Sequence, residues 1–107
     1  MRIWLGLMAL AVLLTASVPI PRCVSVDPET GKRGDVITAK GENLNKAIVA
    51  EVFLTDGQKD TAATIVEQVE SEIKFQVPDV VPGRYHVLFL SSDRSAIVEQ
   101  PVIFTVR

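Results

Sequence analysis

Cysteine and histidine are almost absent from this chain of 107 residues, and their scarcity excludes several kinds of chemistry. Cys23 is the single cysteine, so no internal disulfide can form and stability must come from the hydrophobic core. His86 is the single histidine, and no motif supplies it with a nucleophile, a carboxylate or further metal ligands. The sequence also lacks metalloprotease, serine-hydrolase, phosphate-loop and dinucleotide-binding motifs. We therefore expect neither catalysis, nor a cofactor, nor a metal site.

An excess of basic charge is also missing. The chain has 11 Lys and Arg against 13 Asp and Glu, a net charge of −2. Removal of the residues up to position 16 takes away Arg2 and leaves 10 basic and 13 acidic residues, a net charge of −3. Nucleic acids and anionic lipid surfaces both require a basic patch. The loop acids, such as Asp56, Asp60 and Asp93, do not follow the spacing of a calcium loop and are expected to be solvated.

One apolar run stands at the start of the chain, where residues 3–16 follow Arg2. Its 14 residues are too few for a bilayer-spanning helix, which needs about 20, and Pro19 and Pro21 end any helix there. A basic residue, an apolar run and small residues in this order are typical of a secretory signal peptide. We predict a signal helix at residues 1–17, a short linker at 18–23 and one domain at 24–107. The protein should then be exported, to the periplasm or beyond, from a bacterial cell.

Three alternatives remain open for Cys23, which lies just after the signal segment. It could carry a lipid anchor, form an intermolecular disulfide, or be a half-buried apolar residue of the first strand. Arg22 directly before it, and Ile20 in place of Leu three positions earlier, disfavour lipid attachment. Membrane contact is therefore expected only through the signal peptide or through this disfavoured lipid.

Beyond Cys23 the hydrophobic pattern has a period of two, which indicates strands. Residues 71–78 show it best, because Ile73, Phe75 and Val77 fall on one face between charged or polar neighbours. In the third strand Glu51 should face water, which turns the alternate residues at 50, 52 and 54 inward. Strands are predicted at residues 23–26, 35–40, 48–55, 62–69, 71–77, 84–91 and 102–107. About seven short strands separated by Gly, Pro, Asn and Asp turns predict an all-β, immunoglobulin-like sandwich of two sheets.

Two motifs in the chain resemble those of one known family. Residues 28–44, Pro-Glu-Thr-Gly-Lys-Arg-Gly-Asp-Val-Ile-Thr-Ala-Lys-Gly-Glu-Asn-Leu, resemble the opening of IPT/TIG domains, which are immunoglobulin-like modules of the early set. Residues 77–87 resemble the later Val-Pro … Pro-Gly-x-Tyr-x-Val motif of the same family. The matching positions are Pro28, Gly31, Gly34, Gly41, Asn43, Leu44, Pro82, Gly83 and Tyr85. The loop at residues 55–60 is longer and more charged than the family pattern, so loop-based binding properties do not carry over.

These positions also have physical roles that the residue types suggest. Gly31 and Gly34 let the chain reverse before the second strand. Gly41 and Asn43 allow a tight exit from that strand, after which Leu44 can plug the end of the sandwich. Tyr85, near the start of its strand, is expected to act as a tyrosine corner through a hydrogen bond to nearby backbone.

One predicted surface is more apolar than the solvent-facing side of a β-sandwich needs to be. The third strand, the Tyr85 strand and the last strand share one sheet in an immunoglobulin-like fold, and their outward residues include large apolar groups. The predicted interaction face consists of Val49, Phe53, His86, Leu88, Leu90 and Ile103. We expect a non-catalytic module of protein–protein interaction or cell-envelope assembly, using this face or strand addition at an open edge. The partner is an unidentified protein or a second copy, and the alternative is a carbohydrate-binding or accessory domain of an exported polysaccharide-active system.

Overall fold

The computed structural model describes residues 19–107, and the expected signal helix lies outside them. Within this range the chain forms eight strands and no helix. The strands are β1 (Arg22–Asp27), β2 (Thr30–Gly31), β3 (Val36–Glu42), β4 (Val49–Thr55), β5 (Asp60–Val69), β6 (Glu72–Gln76), β7 (Gly83–Ser91) and β8 (Ile97–Val106). The prediction of an all-β chain of about seven strands is confirmed, because the additional strand is the two-residue β2. The predicted linker at 18–23 is two residues too long, because β1 begins at Arg22.

The strands form two layers that are joined by one shared strand. Their hydrogen-bonded order is β1-β3-β6-β5-β4-β7-β8-β2. The first half of β5 pairs with β4, where Ala63 lies opposite Val52, and its second half pairs with β6, where Ile65 lies opposite Phe75. All pairings are antiparallel except that of β2 with β8. This change of partner explains why β5 shows only weak alternation in the sequence.

Inward side chains from both layers meet in one core. Three predicted apolar faces are confirmed as buried, those of β6 with the following Val77, of β7 from Tyr85 to Phe89, and of β8 from Val102 to Val106. Phe75, Phe89 and Phe104 are fully buried at its centre. Burial of one such side chain stabilises the fold by about 1.5–3 kcal/mol, which replaces the missing disulfides as the source of stability.

In β4 the inward positions differ from the prediction at one place. Val49 is 1% exposed and belongs to the core, whereas Ala50 is only half-buried. The pairing of β4 with β7 shifts between Val49 and Glu51, which marks a β-bulge. A bulge inserts one residue and reverses the facing of everything before it. The prediction that Val49 points outward is therefore wrong, while Val52 and Leu54 point inward as expected.

The last strand begins at Ile97, five residues earlier than predicted. Its pairing with β7 shifts between His86, which lies opposite Ile103, and Leu88, which lies opposite Glu99. Three residues of β8, at 100–102, therefore face one residue of β7. Pro101 lies in this bulge, where a residue without an N–H is tolerated inside a strand.

Two glutamine side chains bridge the gaps between the layers. Gln100 is buried, and its Oε1 accepts a hydrogen bond of 2.7 Å from the backbone N–H of Cys23, which joins β8 to β1. Gln68 donates from Nε2 to the carbonyl oxygens of Leu44 and Val49, at 2.8 and 2.9 Å. The second bridge lies where β5 leaves β4 for β6. Side-chain amides thus replace the backbone pairing that is missing on each side of the sandwich.

The glycines of the family motif are required for different structural reasons. Gly34 has a φ of 89° in the turn before β3, as the prediction of a chain reversal requires. Gly31 lies in β2 instead of the turn, and a Cβ there would come within 3.2 Å of the Phe104 ring. At Gly41 a Cβ would collide with the carbonyl oxygen of Arg22 in the neighbouring strand, so close approach of β1 and β3 explains this glycine.

The residues after β3 hold the end of the sandwich closed. Asn43 has a φ of 59°, and its Nδ2 donates to the Ile20 carbonyl oxygen at 3.1 Å, so it also fixes the segment that enters β1. Leu44 is fully buried, which confirms its predicted role as a plug. Glu70 accepts hydrogen bonds from the Asn43 N–H and from Asn45. Of the remaining motif positions, Pro28 follows β1 across a cis peptide bond, Pro82 precedes β7, and Gly83 begins it.

Candidate interaction surface

The outward side of β4, β7 and β8 carries three rows of side chains. The register places Glu51, Leu90 and Ile97 in one row, and Phe53, Leu88 and Glu99 in the next. The third row contains Thr55, His86 and Ile103. We call these nine residues the outer face. As predicted, the three strands share one sheet.

The apolar residues of the outer face differ widely in exposure. Ile97 and Ile103 are 54% and 39% exposed, and Phe53 is half-buried. Leu88 and Leu90 point outward but are only 7% and 9% exposed, so the expectation that they form the exposed surface is wrong. Their strand neighbours cover them, because outward side chains on paired strands stand about 5 Å apart. Ile97 is a member that the sequence analysis missed, since it placed the last strand too late.

One ion pair and one histidine–carboxylate contact lie at this face. Arg94 Nη1 is 2.6 Å from Glu51 Oε2, and His86 Nδ1 is 3.0 Å from Glu99 Oε2. Arg94 holds its place from the β7–β8 turn with a positive φ of 61°, which is uncommon for a residue with a side chain. The charge of Glu51 is therefore matched within the molecule by Arg94, and Glu99 has a polar contact with His86.

The outward side of the other sheet has a different character. Its paired residues are polar or charged, for example Lys40 opposite Glu72 and Thr38 opposite Lys74. Lys74 also lies 3.7 Å from Glu67 of β5. Four exposed valines also lie on the strands of this sheet: Val24 on β1, Val36 on β3, and Val66 and Val69 on β5. Aliphatic groups are therefore exposed on both sheets, and the outer face differs by its rows of paired leucine, isoleucine and phenylalanine.

The open edges offer little for strand addition, the second binding mode that the sequence left open. The outward N–H of Cys23 on β1 is bonded to Gln100, and Pro101 removes a donor from β8. Gln68 covers the carbonyl of Val49 where β5 departs from β4. Proline, bulges and side-chain caps are the usual protections of strand edges. The apolar face is therefore the better candidate.

The surroundings of Cys23 indicate a structural role in the core. Cys23 is completely buried, and desolvation raises the pKa of its thiol to about 11. Burial of this kind disfavours both lipid attachment and an intermolecular disulfide in the folded chain.

The hydroxyl of Tyr85 donates to the Val81 carbonyl oxygen at 2.5 Å, which is the geometry of a tyrosine corner. Desolvation, followed by the charge of Asp56, raises the pKa of Tyr85.

The loop acids are engaged with their own turns. Asp93 accepts hydrogen bonds from the hydroxyls of Ser95 and Ser91 and from the Ser95 N–H, which lower the pKa of its carboxyl to about 2. Asp56 accepts bonds from the N–H groups of Lys59 and Gln58, and these lower its pKa. Within residues 19–107 no three potential metal ligands come together.

This geometry, two β layers joined by a shared strand with a tyrosine corner, defines an immunoglobulin-like sandwich. The family model described as the IPT/TIG domain matches residues 21–106, and the chain belongs to that family. Among solved structures it resembles gamma-CGTase from alkalophilic Bacillus clarkii, with a TM-score of 0.67 and 20% sequence identity. That alignment covers 86% of this chain and 13% of the other, and it shows a shared fold. Comparison with curated proteins found no match.

Proposed function

We propose that this chain is an exported, non-catalytic immunoglobulin-like module that binds a protein through its outer face, in the periplasm or outside a bacterial cell. The observation that carries the proposal is the gathering of large apolar side chains in paired rows on one face. Exposed Ile97 and Ile103 and half-buried Phe53 lie around the outward Leu88 and Leu90. Aliphatic and aromatic groups gathered on one face are a common sign of an interaction site.

A capture experiment with two matched variants tests the proposal. Ile97→Glu places a charge on the outer face, at its most exposed apolar position, and Val69→Glu places one at the 47%-exposed end of β5 in the other sheet. Both positions are open to water, so both variants should fold. The immobilised wild-type chain and Val69→Glu should retain the same protein from an envelope fraction, and Ile97→Glu should lose it by at least tenfold. Equal retention by all three chains would reject the outer face.

Export has its own test. The sequence places cleavage after Ala16 or Ser17, so N-terminal sequencing of the exported chain should begin at Ser17 or Val18. A chain that stays in the cytoplasm with Met1 in place would contradict this part of the proposal.

An accessory role in a polysaccharide-active system is the second candidate. A domain of this fold occurs within the chain of a gamma-CGTase, and that likeness is one of fold. Binding to sugars commonly uses exposed aromatic rings. Among residues 19–107 Phe53 is the one aromatic side chain that is not buried, which favours a protein partner. A polysaccharide array separates the two, because binding that disappears in Phe53→Ala and persists in Ile97→Glu would favour the sugar.

A further inference from the structure

We infer that the partner of the outer face carries a lysine or arginine side chain that enters the cleft beside Glu99, between β8 and β1. The inference rests on the proposed function, because it names the chemistry of the partner at the same face. Three properties of the described residues support it: the unmatched charge of Glu99, the lining of the cleft next to it, and the net charge of the domain.

Glu99 is the acidic residue of the outer face whose charge no basic side chain within residues 19–107 matches. The other acidic residue of the face, Glu51, forms an ion pair with Arg94 at 2.6 Å. Glu99 contacts His86 Nδ1 at 3.0 Å, and a neutral imidazole supplies a hydrogen bond without cancelling the charge of a carboxylate. The Glu99 side chain is 62% exposed, and Glu99 lies directly opposite Leu88. A partner that covers the apolar rows must therefore also cover this charge.

Covering a lone carboxylate is unfavourable, because the charge loses its contact with water. A positive group of the partner offsets this loss, and it forms a charge-assisted hydrogen bond with the carboxylate. A neutral or acidic group at the same place leaves the charge unpaired, which weakens binding. The charge of Glu99 therefore selects among partners that offer the same apolar groups.

The space beside Glu99 has the size and the lining that suit a long basic side chain. An open cleft of about 580 Å³ lies there between β8 and β1, and both Glu42 and Glu99 line it. Val98 and Pro101 supply apolar parts of its wall. Lysine and arginine side chains pack their stems on apolar surface and keep the charged head at its edge. Arg22 is the one basic residue of the lining, so the two carboxylates give the cleft a net charge of −1.

The charge of the whole domain favours the same kind of partner. Residues 19–107 contain 10 basic and 13 acidic side chains, a net charge of −3. A negative domain attracts a cationic surface and repels an acidic one within about a Debye length. The outer face supplies the apolar contact, and Glu99 supplies the preference for a positive group. The partner segment that fits both is a run of aliphatic residues that contains a lysine or an arginine.

Two short peptides test the inference without the natural partner. N-acetyl Ile-Arg-Ile amide brings aliphatic groups and one positive charge, and N-acetyl Ile-Gln-Ile amide brings the same aliphatic groups without the charge. Amide chemical shifts of the isotopically labelled exported chain are followed with up to about 20 mM peptide. At low salt the arginine peptide should give saturable shifts around Glu99, with a dissociation constant about threefold or more below that of the glutamine peptide. Salt at about 500 mM should remove most of this difference, because it screens the exposed pair.

Three variants show whether the carboxylate itself makes the difference. Glu99→Gln should remove the preference for the arginine peptide, while the control Glu67→Gln, which takes the same charge from the other sheet, should keep it. His86→Ala removes the contact with Glu99 but leaves its charge, so it should bind the arginine peptide at least as tightly as the wild type. The inference would be overturned by equal binding of the two peptides, by the absence of saturable shifts, or by an unchanged preference in Glu99→Gln. Equal losses in His86→Ala and Glu99→Gln would also overturn it, because the contact and not the charge would then decide binding.

The capture experiment separates this inference from the proposed function. If Ile97→Glu loses the captured protein and Glu99→Gln retains it at the wild-type level, the basic partner is rejected and the outer face stays a binding site. If both variants retain the protein at the wild-type level, the outer face itself is rejected.

Discussion

At the scale of single residues, Cys23 shows how burial decides chemistry. The thiolate is the reactive form of cysteine, and a pKa of about 11 leaves very little of it at pH 8. We expect a thiol reagent to label the native chain at least about a hundredfold more slowly than the chain unfolded in guanidinium. The rate is followed by absorbance with an aromatic disulfide reagent. Labelling at equal rates in both states, or a disulfide-linked pair of native chains, would show that Cys23 is accessible.

Asp93 gives a prediction for pH. Its folded pKa, about 2, lies below the ordinary value of 3.8, so its hydrogen bonds stabilise the fold above pH 4. This contribution is lost as the pH falls from about 4 through the folded pKa of about 2, where half of the folded carboxyl groups are protonated. Asp93→Asn should therefore lower the thermal midpoint at pH 7 and have a much smaller effect at pH 2. A difference that persists unchanged at pH 2 would contradict this role of the carboxylate.

At the scale of strands, the contact between β8 and β1 depends on a glutamine that no sequence pattern singles out. Gln100 is the buried link between β8 and β1, and Gln100→Leu would leave the Cys23 N–H without its partner. An unsatisfied buried donor costs about 1–3 kcal/mol, which should appear as a lower urea midpoint. The control is Gln76→Leu, because Gln76 is exposed and its single bond to the Gly34 carbonyl oxygen is replaceable by water. An equal loss in both variants would mean that the β8–β1 bridge has no special role.

The same scale shows what could be predicted from the sequence. Alternation located the inward faces of β6 and β7, because regular strands turn every second residue to the core. Alternation failed at Val49, because a β-bulge between Val49 and Glu51 reverses which residues point inward. No residue type in this segment indicates the bulge. The prediction also began β8 too late, since Glu99, Gln100 and Pro101 together look like a loop. Of the predicted interaction face, Phe53, His86 and Ile103 do lie on the outward side of one sheet, whereas Val49 lies in the core and Ile97 was omitted. That this side binds a partner stays a prediction.

For the whole molecule, stability should not depend on redox conditions. With one cysteine, a reducing agent has no internal bond to break, so the thermal midpoint should be the same with and without it. Calorimetry of the native chain with and without a reducing agent measures this. A midpoint that shifts with reductant would require a covalent link between chains.

The shared strand β5 makes the two sides of this sandwich unequal. Gln68 ties one gap with two hydrogen bonds, and β5 itself crosses there from layer to layer. The opposite gap is bridged from Gln100 to β1 by one bond. A ligand cavity could therefore be engineered between the layers with least disruption at Gln100, because no strand crosses between the layers on that side.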